Sequence, residues 1–164
     1  GWPSTPPCSD RQATMIIPER TLLVAALLAG TALSALAQST TPVGLWKTID
    51  DDTKKEKSLV RIVETAGVYS GKVEKLLDPD APKDPVCKDC SDERKDKPIT
   101  GLTIIRNVKQ SADDKAVFDG GDILDPNNCK VYRLRLKPVD GGRKLEVRGY
   151  LGPFYRTQTW LRVE

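Results

Sequence analysis

Histidine is absent from the 164 residues. That excludes Ser-His-Asp and Cys-His catalysis, histidine-ligated metals and a histidine pH switch. Aromatic side chains are scarce, at 5% of the chain, and methionine occurs once. No large charge of one sign is present, since 26 Lys and Arg face 23 Asp and Glu for a net +3. So close a balance creates no broad field for nucleic acid. No stretch carries a sustained 3.6-residue apolar period, so long amphipathic helices are not expected. What is present is regularly spaced Val, Ile and Leu, which opposes disorder, in a length that suits one domain.

The long hydrophobic run lies near the start. Residues 15–20 (MIIPER), residues 21–33 (TLLVAALLAGTAL) and Ala35-Leu36-Ala37 read as a secretory signal peptide over 15–37. The short front end, apolar centre and small-x-small site carry that reading. The apolar centre falls short of the roughly 20 residues that span a bilayer. Residues 1–14 read as an upstream extension before a start at Met15. Cleavage after Ala37 places Gln38, rather than Cys, at the new terminus, so no lipoprotein anchor is expected there. The expected mature chain is a single domain of residues 38–164, exported and with no membrane span after cleavage.

Within that domain apolar residues recur with period two. Strands are expected over 43–49, 57–64, 68–77, 102–108, 115–124, 129–137, 143–151 and 154–163. Tyr69, Val73 and Leu77 share one face. Tyr132, Leu134 and Leu136 oppose Val131, Arg133 and Arg135, while Leu145, Val147 and Leu151 keep a common register. Gly120-Gly121 predicts a bulge or sharp bend. Turn chemistry marks residues 50–55, Ala66-Gly67, residues 125–128, Asp140-Gly141-Gly142 and Gly152-Pro153. Residues 78–98 carry four Pro, two Cys and six acidic residues beyond Asp78. Proline lacks the ladder donor, so this stretch is expected to be a long ordered loop. Short connections imply antiparallel neighbours in an up-and-down order. The fold class is therefore all-β: an eight-stranded antiparallel up-and-down barrel, whose interior holds side chains or one small ligand. A sandwich is the competing closure.

Several segments together resemble the exported bacterial family called domain of unknown function 2147. They are Gly44-Leu45-Trp46-Lys47-Thr48, Tyr69-Ser70-Gly71-Lys72-Val73, Cys87-Lys88-Asp89-Cys90 with Glu93-Arg94, and Pro98-Ile99-Thr100-Gly101-Leu102. Residues 119–126 (DGGDILDP), Leu145-Glu146-Val147-Arg148-Gly149-Tyr150 and Arg156-Thr157-Gln158-Thr159-Trp160 complete the set. The resemblance covers 43–164. It implies a lipocalin-like barrel, periplasmic or secreted, with no established activity. Cys129 departs from the pattern, standing where the resemblance predicts Gly, so no role carries over to it.

Gly44-x-Trp46 is also similar to the start of a lipocalin, where the Trp plugs one barrel end beneath an Arg from near the chain's end. Arg156 or Arg162 on the last strand is expected to cover the Trp46 ring as a cation–π lid worth roughly 0.5–2 kcal/mol, and Arg156 is the first choice. The plain alternative makes Trp46 a large core residue, structural in either case. Trp46, Tyr69, Tyr132, Arg156 and Trp160 are the candidates for closing a barrel end or lining a ligand.

Cys87-x-x-Cys90 has three readings. A redox dithiol wants a helix start that lowers a thiol pKa, and no βαβ pattern surrounds this pair. Zinc wants about four ligands, and Cys87, Cys90 and Cys129 would need an Asp as well. A small disulfide pinning the long loop suits an exported protein and is the expected outcome. No metal or cofactor is expected. Asp50-Asp51-Asp52 and Asp113-Asp114 lack the spaced ligands of an EF-hand and read as solvated turns. Arg133, Arg135, Arg143, Lys144 and Arg148 would favour an anionic ligand if they pointed inward, but a wet outer face is the favoured reading. Asp119 and Asp122 flank a bend and are expected to serve the turn. The leading function is a binding module that takes a small, partly apolar molecule into the barrel. The rival is a solidly packed envelope protein whose Cys-bearing loop contacts a partner. With no catalytic constellation, an enzyme is a distant third.

Overall fold

The computed structural model describes residues 41–164. The expected extension 1–14, the signal peptide 15–37 and the Gln38 terminus lie outside the described residues. Eight strands follow the two-residue period: β1 (Gly44–Ile49), β2 (Glu56–Thr65), β3 (Val68–Leu76), β4 (Thr103–Gln110), β5 (Phe118–Leu124), β6 (Val131–Val139), β7 (Lys144–Leu151) and β8 (Phe154–Arg162). They pair in chain order and close into a barrel. Closure is made by the antiparallel β1–β8 ladder, with Trp46 opposite Arg162 and Lys47 opposite Leu161. That ladder removes the edges a sandwich would keep.

The inward face is apolar as the alternation requires. Val60, Ile62, Phe118, Leu136 and Leu145 are fully buried, and Leu134 and Val147 nearly so. Where the expectation slips, a bulge is responsible. Val60 faces Val73 and Leu59 faces Lys75, leaving Glu74 as an extra residue on β3. The face therefore shifts by one, and Leu76, rather than Leu77, turns toward the interior. Gly120, with φ of 78°, is the extra residue between the Phe118–Leu136 and Gly121–Leu134 pairs. That is the bulge its Gly-Gly sequence predicted.

β5 starts later than expected because Asp114 builds a turn first. Its carboxylate accepts the Ala116 N–H at 3.0 Å, and its carbonyl accepts the Val117 N–H at 3.0 Å. A side chain that offers such a local acceptor diverts the backbone from the ladder.

Up-and-down order sorts the connections to two ends. One end carries the short turns after β2, β4 and β6 and both ends of the described chain. The other carries the β1–β2 hairpin, the loop from Leu77 to Leu102, the β5–β6 turn and the β7–β8 turn. The long loop is ordered by its own bonds. Val86 bridges Pro98, and Cys87 N–H donates to Lys97 carbonyl at 2.9 Å. Arg94, only 4% exposed, is held between the Asp92 carboxylate and the Thr103 carbonyl. No helical turn is assigned within 78–98.

Candidate ligand-binding cavity

β1 and β8 plug the first end. Trp46 has no exposed surface, and its indole N–H donates to the Pro42 carbonyl at 2.7 Å. Arg162 lies 4.2 Å above the ring. Its guanidinium also donates to the carbonyls of Gly142, Val43 and Thr41 at 2.5, 2.7 and 3.0 Å. Burial lowers the Arg162 pKa from its usual value. Gly44 is needed here, because its φ is 140° and a Cβ would run into the Glu164 carbonyl and the Arg162 guanidinium. The lid is therefore Arg162. Arg156 lies on the same face of β8 but six residues earlier, about 20 Å along the strand. There its guanidinium pairs with Asp51 at 2.8 Å. The first choice of Arg156 as lid is corrected: register, rather than strand membership, selects the arginine.

Tyr69 packs edge-to-face on Phe118 at 5.0 Å between centroids. Burial, and secondarily the charge of Glu64, raise its pKa. Trp46 and Tyr69 thus belong to the packed part of the barrel. Tyr132, Arg156 and Trp160 belong to the other end, where a cavity of about 690 Å3 opens among the loops.

Val73, Leu76, Ile104, Ile123, Val147 and Trp160 supply the apolar wall of that cavity. Polar side chains from the strands and loops complete the lining, and many of them are paired. Thr48 and Ser58 hydroxyls share a hydrogen bond at 2.8 Å. The Trp160 N–H donates to the Gln158 side-chain carbonyl at 3.2 Å, and Gln158 donates to Asp51 at 3.1 Å. Tyr132 hydroxyl accepts from Asn128 at 3.1 Å. Lys57 and Asp78 pair at 2.6 Å on the rim, a bond that raises the lysine pKa and lowers the carboxyl pKa.

Thr48, Ser58 and Gln158 were not among the sequence candidates. The signal that would find them is parity, since each lies two residues from a buried aromatic or aliphatic on its strand. The basic set points outward, as favoured. Arg133 lies over the Tyr150 ring at 5.8 Å and Arg148 over Tyr155 at 4.7 Å, while Arg143 reaches Asp140 at 2.6 Å. The acidic clusters do turn work. Asp50 accepts the Asp52 and Thr53 N–H groups, and the Thr53 bonds lower its pKa. Asp122 pairs with Arg106 at 3.5 Å on the outer wall.

Cys87 and Cys90 form the expected disulfide. Asp92 beside it is pulled down to a pKa of about 2, chiefly by its hydrogen bond from Arg94. Cys129 comes within 3.5 Å of the Cys87 sulfur, a contact that sequence separation concealed.

Comparison with known proteins agrees with this geometry. Among solved structures, a protein of the human pathogen Helicobacter pylori that belongs to the lipocalin family is similar, with a TM-score of 0.63 and 20% identity over 76% of this chain and 84% of that one. At that identity the likeness speaks for the fold. No curated protein matches. Residues 44–162 match the family described as uncharacterized protein conserved in bacteria, DUF2147. The match runs from the first residue of β1 to the last of β8, and this lipocalin-like barrel belongs to that family.

Proposed function

We propose that the barrel binds one small, partly apolar and uncharged molecule in the cavity at its loop end. The observation that carries this reading is the cavity itself. Its 690 Å3 lies within the roughly 300–1,000 Å3 of small-molecule sites, and an apolar wall at depth beneath a polar, loop-built mouth suits a partly apolar ligand. A solidly packed interior, which the rival reading requires, is found only toward the Trp46 end. The cations that reach the cavity, Lys57 and Arg156, are engaged by Asp78 and Asp51. An anionic head group would have to displace a carboxylate from one of them. Apolar burial then supplies most of the affinity, and the Thr48, Ser58 and Gln158 groups orient one polar end.

Export belongs to the same proposal. The Cys87–Cys90 disulfide supports it, because such bonds persist in oxidising compartments.

Native mass spectrometry of protein purified from the envelope should reveal retained mass that denaturation releases. The neutral probe N-phenyl-1-naphthylamine provides the second measurement. Val147 lines the cavity and is 4% exposed, so the larger indole of Val147→Trp should intrude on the site and weaken probe binding at unchanged far-UV circular dichroism. Equal binding by the two proteins would refute a site in the barrel.

A further inference from the structure

Three cysteines meet where the long loop touches the β5–β6 turn. Cys87 and Cys90 are joined and nearly inaccessible, at 1% and 2% exposure. The Cys129 sulfur is 3.5 Å from that of Cys87, and all three sulfurs lie within 4.8 Å of one another. Cys129 is half-buried and is the free thiol among the described residues. It is held there by the backbone: its N–H donates to the Asp125 carbonyl at 2.8 Å, and Asp125 N–H donates to the Lys130 carbonyl at 2.9 Å. Its φ is 56°, a left-handed conformation that suits Gly or Asn better than Cys. A free thiol is thus fixed against a disulfide by a turn that would accept a smaller residue more readily.

We propose that Cys129 exchanges with this disulfide, making the cluster a thiol–disulfide exchange site. The Cys129 thiolate attacks the Cys87 sulfur, which it already touches. A Cys87–Cys129 bond forms as the Cys87–Cys90 bond breaks, and Cys90 departs as a thiolate. The proton that Cys129 released to solvent is matched by the one Cys90 takes up. One disulfide and one thiol are present before and after, so no oxidant or reductant is consumed. The sulfurs need to close by about 1.5 Å to reach the ~2.05 Å of the new bond.

The two pairings constrain different things. The present bond spans a sequence separation of 3, a ring that restricts little of the unfolded chain. The exchanged bond spans 42, restricts far more of it, and staples the long loop to the β5–β6 turn. Both segments contribute to the cavity wall, Pro85 and Val86 from one, Pro126, Asn127 and Asn128 from the other. Exchange therefore decides whether that wall is two segments or one. It does not require that the cavity hold a ligand.

The test uses the full chain with Cys8→Ser, so that the remaining cysteines are those of the barrel. Protein held at pH 8 for hours, long enough for uncatalysed exchange, is quenched in acid and digested with pepsin. Mass mapping should find both Cys87–Cys90 and Cys87–Cys129 peptides. With Cys90→Ser added and glutathione disulfide present, Cys87 and Cys129 should join and leave no alkylatable thiol. In Cys129→Ser the Cys87–Cys90 pairing should be the sole one found. A Cys8→Ser map that holds Cys87–Cys90 alone overturns the proposal. So does a folded Cys90→Ser protein that keeps both thiols. The Cys8→Ser map decides alone if that variant fails to fold.

Discussion

Removing the Trp46–Arg162 contact tests the closure of the barrel. Trp46 is wholly buried and carries one hydrogen bond, to Pro42. Truncation to Ala should cost about 3–5 kcal/mol, a large share of the roughly 5–15 kcal/mol that holds a domain. Trp46→Leu is the more useful variant, because it keeps part of the volume and a measurable transition. Arg162→Ala loses the cation–π term of about 0.5–2 kcal/mol. It also deprives the Gly142, Val43 and Thr41 carbonyls of this donor, so about 2–4 kcal/mol is expected in all. Arg162→Lys keeps the charge but not the planar fork, and should recover only part of that loss.

Both substitutions act on one contact, so the double variant should lose less than the sum of the singles, by about 0.5–2 kcal/mol. Urea unfolding of the four proteins measures the coupling. Arg156→Ala is the internal control. Its side chain is 65% exposed in an ion pair with Asp51, a kind of contact worth about 0–1 kcal/mol. Strict additivity between Trp46 and Arg162, or an Arg156→Ala loss equal to that of Arg162→Ala, would refute the plugged-end reasoning.

Two further outcomes follow from other parts of the barrel. Asp92, at a folded pKa of about 2 against an ordinary 3.8, contributes stability that is complete above about pH 4 and is lost as pH falls toward about 2. With its side chain 27% exposed, the contribution is about 1–2 kcal/mol, and Asp92→Asn should lower neutral stability by that much and flatten the acid limb of a stability-versus-pH curve. Gly121→Ala should cost about 2–3 kcal/mol in thermal unfolding, because its Cβ would overlap the Arg106 carbonyl. Gly67→Ala meets no atom and carries only the left-handed penalty of about 1 kcal/mol, so equal losses would contradict the close packing at Gly121.

The strands were legible because the alternation of Leu134 and Leu136 with Arg133 and Arg135 is a local pattern, and one buried face enforces it. Short turns such as Asp140-Gly141-Gly142 made the antiparallel order legible too. The misreadings arose where the outcome is non-local. Leu77 was expected inward because nothing near Glu74 announces a bulge; the partner strand imposes it through Leu59 and Val60. Arg156 and Arg162 have the same parity on the same strand, and only the β1–β8 register, Trp46 opposite Arg162, tells them apart. Cys129 and Cys87 are 42 residues apart, and no pattern in either segment reports their meeting.

The cavity combines the two kinds of information. Given the register, side-chain size along each inward row explains why one end is packed and the other hollow. β1 passes from Trp46 to Thr48, β7 from Leu145 through Val147 to Gly149, and β8 from Arg162 and Trp160 to Gln158. In each case the bulk lies toward the plugged end; Val147 and Trp160 form the apolar wall of the cavity, and the smaller Thr48, Gly149 and Gln158 line it beyond them. Close packing fills the interior where large side chains converge. Where the paired Thr48 and Ser58 replace large side chains, the same backbone spacing leaves room, because the barrel's diameter is fixed by strand number and stagger, whatever side chains it encloses. The hollow at the loop end is thus written into the order of residue sizes along the strands. Narrowing it by Val147→Trp changes that order at one position without disturbing the ladder that defines the fold.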